Sequence, residues 1–365
     1  MIMKKIKIGL VGAGSMSAYH IPGFRRGGAE VVAVADTNLA AARRCAERFG
    51  VPHAYDDAAK MLDAERLDAV SVLTPNRFHA PLVIAALRRG LHVFCEKPPA
   101  LNAREAKAMA AAAEKAGRCL MFDFCNRARP ESAALKKEIL SGRFGAVNSA
   151  EAKWVRRTGI PGFGGWFTTK ALSGGGPLID LLHGIDLAMW FMGYPEPKHV
   201  LARTFDDFIR DRRFRGPWGI PEREDGTCDV EAAALGFVTF ADGSCLMLRN
   251  SWAEMIDREE VSIALQGKKE GALIRRTFGV DGDDATAVDV SALYTMTASG
   301  RRKDRPLTSK RDEKMGRERM AENFIRALRG QEAPLSRPDE AVKLMKVIDA
   351  VYRSAKTGRP FSIVK

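Results

Sequence analysis

The stretch KIKIGLVGAGSMS, residues 5–17, decides how the first third of the chain folds. Ile6, Ile8, Leu10 and Val11 make a short apolar run that ends at Gly12, and small residues follow. Such a run predicts a buried strand of a parallel sheet, feeding through a glycine turn into a helix. A turn of this kind can receive a diphosphate. Gly12 would supply the tight bend and Gly14 the close backbone approach, while Ser15 and Met16 lead into the positive end of the next helix. Ser17 holds the third small position of the fingerprint, where glycine or alanine is usual; serine is small enough for close helix–strand packing.

Outward from this stretch, strand and helix signals alternate: EVVAVAD, a helix over 38–49, DAVSVLT, a helix, LHVFCE, a helix over 102–117, and CLMFDF. This pattern predicts a doubly wound parallel α/β domain over residues 1–125. After Pro130 strand candidates follow one another without intervening helices: VNSAEAKWV, KHVLARTF, CDVEAAALGFVTF, SCLMLRNSW and EEVSIALQG, with a hairpin signal at ADGS, 241–244. Residues 126–335 are therefore read as an α+β domain with a large, mostly antiparallel sheet. Helices are expected over 315–330 and 338–356, with residues 336–365 as the closing segment. A chain of 365 residues suits two domains.

Composition narrows the function classes. The net charge of +13 is scattered, and its denser patches, 210–215 and 301–320, are interspersed with acids, so nucleic-acid binding is not expected. No apolar run is long enough for a membrane span, and the N-terminus lacks a secretory pattern. A cytoplasmic chain beginning near Met1 is expected. The six cysteines show no paired spacing and are read as reduced thiols; no metal site is expected. Asp36 closes the second strand, where its carboxylate can accept both hydroxyls of an adenosine ribose. This favours NAD, with Arg43 and Arg44 leaving NADP as the alternative; the same carboxylate can also cap the helix beginning near Asn38.

TPNRFHAP (74–81), CEKPPA (95–100) and GGGPLIDLLHGIDLAMW (174–190) join the glycine turn, in that order. Together they resemble the glucose–fructose oxidoreductase / inositol dehydrogenase / MocA (Gfo/Idh/MocA) family, over essentially the whole chain. The resemblance implies an NAD-dependent dehydrogenase of sugars, sugar derivatives or cyclitols, assembled as a homo-oligomer, dimer or tetramer. It implies further that residues 336–365 return toward the first domain, that Thr74, Pro75 and Asn76 line the nicotinamide ribose, and that His79 supports their loop. Glu96 and Lys97 would face the nicotinamide and substrate, Asn126 and Arg127 would lie near the cofactor, and Trp166 would cover the nicotinamide. A redox-assisted glycosidase and a non-catalytic NAD- and sugar-binding regulator are the competing readings.

Oxidising a secondary alcohol requires a group that takes the hydroxyl proton as hydride leaves. Lys97 suits this task, and as an ammonium it stabilises an oxyanion. His183 is the second candidate, expected to meet the substrate opposite Lys97. Gly174, Gly175 and Gly176 before it would allow the backbone to approach a ligand or to take an unusual turn just where the helix begins. Asp180 is the third catalytic candidate, or a contact for a substrate hydroxyl; it stands one residue nearer the histidine than the family's Asp-x-x-x-His spacing, which on a regular helix turns its carboxylate about 100° around the axis. An N-cap position for Asp180 would escape that penalty. Asp186 is read as orienting His183, as pairing with a basic residue across the domain junction, or as solvated helix surface, and Leu178, Leu181, Leu182, Ile185 and Met189 as the buried stripe.

Overall fold

The computed structural model describes residues 5–217, 219–278, 288–307 and 312–363; the expected start at Met1 and residues 308–311 of the second basic patch lie outside them. The chain divides into two compact units.

The first unit begins β1 (Lys7–Val11), α1 (Ser17–Arg26), β2 (Glu30–Ala35), α2 (Leu39–Phe49), β3 (His53–Tyr55) and α3 (Ala58–Ala64). It continues with β4 (Ala69–Val72), α4 (His79–Arg88), β5 (His92–Cys95), α5 (Ala103–Ala116) and β6 (Leu120–Phe122). All six strands are parallel, in the order β3-β2-β1-β4-β5-β6. The order reverses between β1 and β4, which is where open sheets of this kind bind ligands. Five of the strands were legible because each is a short apolar run buried on both faces, residues 69–72 and 93–95 being almost wholly inaccessible; β3, with the sequence HAY and an exposed His53, gave no such signal and, with α3, was not expected.

The second unit contributes α6 (Pro130–Leu140), β7 (Val147–Val155), α7 (Lys170–Ser173), α8 (Pro177–Asp180), α9 (His183–Phe191) and β8 (Pro197–Phe205). There follow β9 (Ala233–Phe240), β10 (Cys245–Ser251), β11 (Glu260–Gly267), β12 (Gly271–Thr277), β13 (Val288–Tyr294) and β14 (Arg305–Pro306). Then come α10 (Arg317–Leu328), α11 (Pro338–Thr357) and β15 (Phe361–Ser362). Nine strands form one sheet, β14-β13-β12-β11-β7-β10-β9-β8-β15, antiparallel except for the β7–β10 pair. The expected hairpin at 241–244 joins β9 to β10. One face of this sheet carries α9, over β7 and β11. On the other face Leu201, Phe237 and Met247 pair across β8, β9 and β10 and are 50%, 43% and 54% exposed.

Two expectations need correction. Residues 130–140 form a helix, although the strand-rich texture after Pro130 suggested none. Residues 312–342 belong to the first unit, so the domain division is not the contiguous 126–335 read from the sequence. The reason is packing: α10 crosses α1 so closely that a Cβ on Gly23 would lie 2.4 Å from the Glu318 carbonyl oxygen. Phe324 completes an aromatic cluster with Phe24 and Phe94.

Candidate active site

In the first unit the glycine turn is built as its sequence implies. Gly12 takes φ +103°, and a Cβ there would strike the Leu73 carbonyl at 2.7 Å, so no other residue fits without strain. Gly14 is exposed, with nothing within 4 Å of where a Cβ would stand. Exposed Ser15 and half-buried Met16 lead into α1, and the Ser17 hydroxyl folds back to donate to the Gly14 carbonyl at 2.7 Å. Asp36 accepts the Ala13 N–H at 2.9 Å and the Asn38 N–H at 2.8 Å. Its carboxylate thus braces the turn as well as closing β2, while Asn38 itself caps α2.

At the end of β4, Thr74 and Pro75 lead into a single turn, Asn76–Phe78. The Thr74 hydroxyl oxygen is buried and finds no hydrogen-bond partner among the described residues. His79 has zero exposure and lies 2.7 Å from the Thr74 carbonyl and 2.8 Å from that of Pro98. It therefore ties the loop after β4 to the loop after β5. Burial lowers its pKa, against the pull of the two carbonyls; a neutral ring donates to one of them at a time. An open diphosphate turn, a braced ribose-side carboxylate and a buried hydroxyl with no internal partner fit a dinucleotide.

Lys97, half-buried, follows β5 and precedes Pro98 across a cis peptide. Glu96 departs from expectation. It is 7% exposed, and its carboxylate turns into the unit, accepting the Lys97 backbone N–H at 3.1 Å and meeting His20 Nε2 at 2.9 Å. His20 Nε2 also meets Asp123 at 3.2 Å, and its Nδ1 meets Ser71 at 3.0 Å. Neither His20 nor Asp123 was singled out in the sequence. The signal was there: an aspartate inside the apolar run LMFDF, and a histidine on the buried face of the helix that follows the glycine turn. Burial would lower the His20 pKa, but its bonds to Asp123 and Glu96 raise it to about 9. Burial and the Glu96 charge push Asp123 up, to about 7. Burial opposes ionisation of Glu96 too, yet the hydrogen bond and charge of His20, with the charge of Lys97, hold it below the usual carboxylate range. Asn126 sits half-buried on the turn Cys125–Ala128. Arg127, expected near the cofactor, is instead wholly buried and pairs with Glu340 at 2.6 Å.

In the second unit, the segment 174–190 is two helices with a break, not one. Asp180 ends α8, and Leu181 and Leu182 turn the chain before His183 opens α9. Asp180 is thus not an N-cap, and the regular-helix angle between it and His183 does not apply. Its carboxylate accepts the Trp252 indole N–H at 3.0 Å. His183 is 8% exposed and stacks on Trp154 of β7, with ring centroids 6.1 Å apart. Asp186 is fully buried and accepts the Tyr194 hydroxyl, so it is not solvated surface.

Of the two expectations for the three glycines, the structure shows the unusual turn, with Gly174 at φ +88° just before α8. A Cβ on Gly175 would lie 1.8 Å from the Tyr352 hydroxyl, and one on Gly176 2.2 Å from the Glu231 carbonyl. The space is filled by protein. Glu231, buried, accepts the N–H groups of Gly176 and Leu178 at 3.0 and 3.2 Å and the Tyr352 hydroxyl at 3.0 Å, and so anchors the start of α8. Trp166 is half-buried and stacked on Phe167 at 3.8 Å. The loops around it pack on those over 206–232 through a core of Ile160, Phe163, Ile209, Phe214, Val230 and Trp252. The basic patch 210–215 is largely ion-paired: Arg212 and Arg215 with Glu222, Arg213 with Asp211.

A doubly wound sheet with a diphosphate turn at its switch point, joined to a large mixed-sheet unit, defines a nucleotide-dependent oxidoreductase. The chain belongs to the Gfo/Idh/MocA oxidoreductase family: the model described as the NAD-binding Rossmann fold of that family matches residues 6–124, and its C-terminal alpha/beta domain matches residues 136–363. The chain is 31% identical to D-glucoside 3-dehydrogenase of Escherichia coli (strain K12), covering 98% of this chain and 97% of that one. It is 30% identical to D-xylose 1-dehydrogenase (NADP(+)) 2 of Haloferax volcanii, covering 96% and 97%. Levoglucosan dehydrogenase in complex with NADH and levoglucosan has the same fold, at a TM-score of 0.79 and 20% identity over 99% of this chain and 100% of that one. The protein is an NAD(P)-dependent oxidoreductase of this family.

Proposed function

We propose that the chain transfers hydride between NAD and a secondary hydroxyl of a pyranose sugar, a glycoside or a cyclitol. The observation that carries this reading is the brace of Asp36 against the glycine turn. A carboxylate in that position accepts ribose hydroxyls and repels a 2′-phosphate, which favours NAD over NADP. The near full-length likeness to a D-glucoside 3-dehydrogenase supports a hexose or glucoside as substrate.

Bound NAD supplies the hydride acceptor. Gly12, Gly14, Ser15 and Met16 hold its diphosphate, Thr74, Pro75 and Asn76 its nicotinamide ribose, with Asn126 and Trp166 as further contacts. Lys97 of the first unit takes the substrate's hydroxyl proton as the carbonyl forms and stabilises the developing oxyanion. His183 of the second unit is the other proton-transfer group. Asp180, its carboxylate engaged by Trp252, holds His183's surroundings in place rather than moving a proton itself.

The exposed row Leu201, Phe237 and Met247 is the surface through which copies of the chain associate, because an apolar strip across three strands is unusual for an isolated chain.

The test is a panel of hexoses, glucosides, uronates and inositols with NAD, read by NADH absorbance. One or more members should give stoichiometric NADH. Lys97→Met should cut turnover by at least about a thousandfold while NADH binding persists, in line with loss of a general base together with oxyanion stabilisation. Sugar release from a glycoside with no NADH accumulation would identify a redox-assisted glycosidase instead.

A further inference from the structure

The first unit holds a cluster of ionisable groups that neither diphosphate binding nor proton transfer at Lys97 uses directly. His20 of α1, Glu96 after β5 and Asp123 after β6 are all buried, at 0%, 7% and 1% exposure, and their donor atoms lie within 4.8 Å of one another. His20 Nε2 points at two carboxylate oxygens at once, 2.9 and 3.2 Å away. With both carboxyl groups ionised, an unprotonated nitrogen there would face two acceptors with nothing to donate, so Nε2 carries a hydrogen. The other carboxylate oxygen of Glu96 accepts the Lys97 backbone N–H. A continuous chain of hydrogen bonds therefore runs from the helix that opens at the diphosphate turn to the backbone of the reactive lysine.

We propose that His20 is a positioning residue: its cationic ring clamps the Glu96 carboxylate that holds the Lys97 backbone, and thereby sets the placement of Lys97. The proposal rests on Lys97 being the proton-transfer group.

The charges on every packed element agree with it. Ser71 of β4 receives Nδ1, and Cys95 and Cys125, both buried thiols, add no charge at neutral pH because burial raises them. Arg317 of α10 lies over the Tyr19 ring and feels the charges of Asp123 and Glu96. Within the triad, His20 and Glu96 cancel, so Asp123 alone decides the net charge: neutral with its proton, one negative charge without it.

The experiment needs no substrate. Full-length protein is labelled with an amine-selective reagent at pH 8, and the rate of modification at Lys97 relative to the other lysines is read by peptide mass spectrometry. His20→Gln, which keeps a donor but removes the positive charge that clamps Glu96, should change that relative rate severalfold, whereas Asp123→Asn, which leaves the His20–Glu96 bond in place, should leave it unchanged. An unchanged rate in His20→Gln, or the same change in both variants, overturns the proposal. Should His20→Gln fail to fold, nitrogen NMR of the wild-type protein labelled at histidine decides: both His20 ring nitrogens protonated at pH 8 supports the clamp, and a neutral ring overturns it. Zinc binding at one ion per chain, lost in Asp123→Asn, would also overturn it, by making the triad a metal site. If Lys97→Met keeps full turnover while the labelling rate at Lys97 changes in His20→Gln as stated, the catalytic assignment falls and the clamp stands.

Discussion

Asp36 and His20 show how single side chains serve the nucleotide half by bracing backbone. Asp36 holds both Ala13 and Asn38, so Asp36→Ala removes two charge-assisted hydrogen bonds from the turn that must stay open for a diphosphate. Each such bond is worth about 1.5–3 kcal/mol. NADH affinity, followed by fluorescence titration, should fall by roughly tenfold or more; unchanged affinity would refute the brace. His20 makes a different prediction, because its folded pKa is raised from 6.5 to about 9. Below pH 6.5 both folded and unfolded chains hold the proton and the clamp contributes in full. As pH rises through 9 that contribution is lost. Asp123, raised to about 7, shifts stability in the same sense but at more acid pH, so the range above 7 isolates the histidine. Urea unfolding between pH 7 and 9 should show wild-type stability declining more steeply than that of His20→Gln, by up to about 1.4 kcal/mol per pH unit. Parallel curves would mean that His20 is neutral.

At the scale of elements, the α8–α9 break separates what the sequence disclosed from what it could not. The parallel strands other than β3 were readable because each is a short run with both faces buried, α2 and α11 because their start signals, Asn38 and RPDE, are local, and α10 through its periodicity. Leu181 and Leu182 continue the apolar spacing through the break, so periodicity carried one helix straight across it. What creates the break is remote in sequence: Glu231 binds the start of α8, Asn250 donates to the Leu181 carbonyl at 3.0 Å, and Trp252 holds Asp180. The glycines were read correctly as marking close approach, but Tyr352, far along the chain, makes the approach. Gly175→Ala should therefore destabilise the second unit by about 1–3 kcal/mol, as overpacking does. Adding Tyr352→Phe, which removes the obstructing oxygen, should restore part of that loss. Equal unfolding midpoints for single and double variants would show that the glycine answers to something other than Tyr352.

For the whole molecule, the chain passes out of the nucleotide unit, builds the nine-stranded sheet, and returns as residues 312–342 to complete the first unit before α11 carries it back. This excursion explains why contiguous boundaries failed: α10 has a helix signature but no sequence mark of where it docks, and only its fit over Gly23 and the Phe24–Phe94 pair assigns it. The open face of the large sheet is the remaining feature at this scale. Along β9, Leu235 and Phe237 point outward where buried Ala234 and Val238 point to the core, so the strand is apolar on both faces. A strand facing water on one side ordinarily alternates apolar with polar residues; one that does not is built to be covered on both. Copies of the chain joined through this face would bury Leu201, Phe237 and Met247 together, whereas a lysine at the centre of the row would put a charge into the contact without disturbing the core behind it. Phe237→Lys should accordingly shift the mass measured by light scattering toward that of a single chain, with NADH affinity unchanged because the glycine turn belongs to the other unit. An unchanged mass would leave the open face without that role and direct the search for the interface elsewhere on the surface.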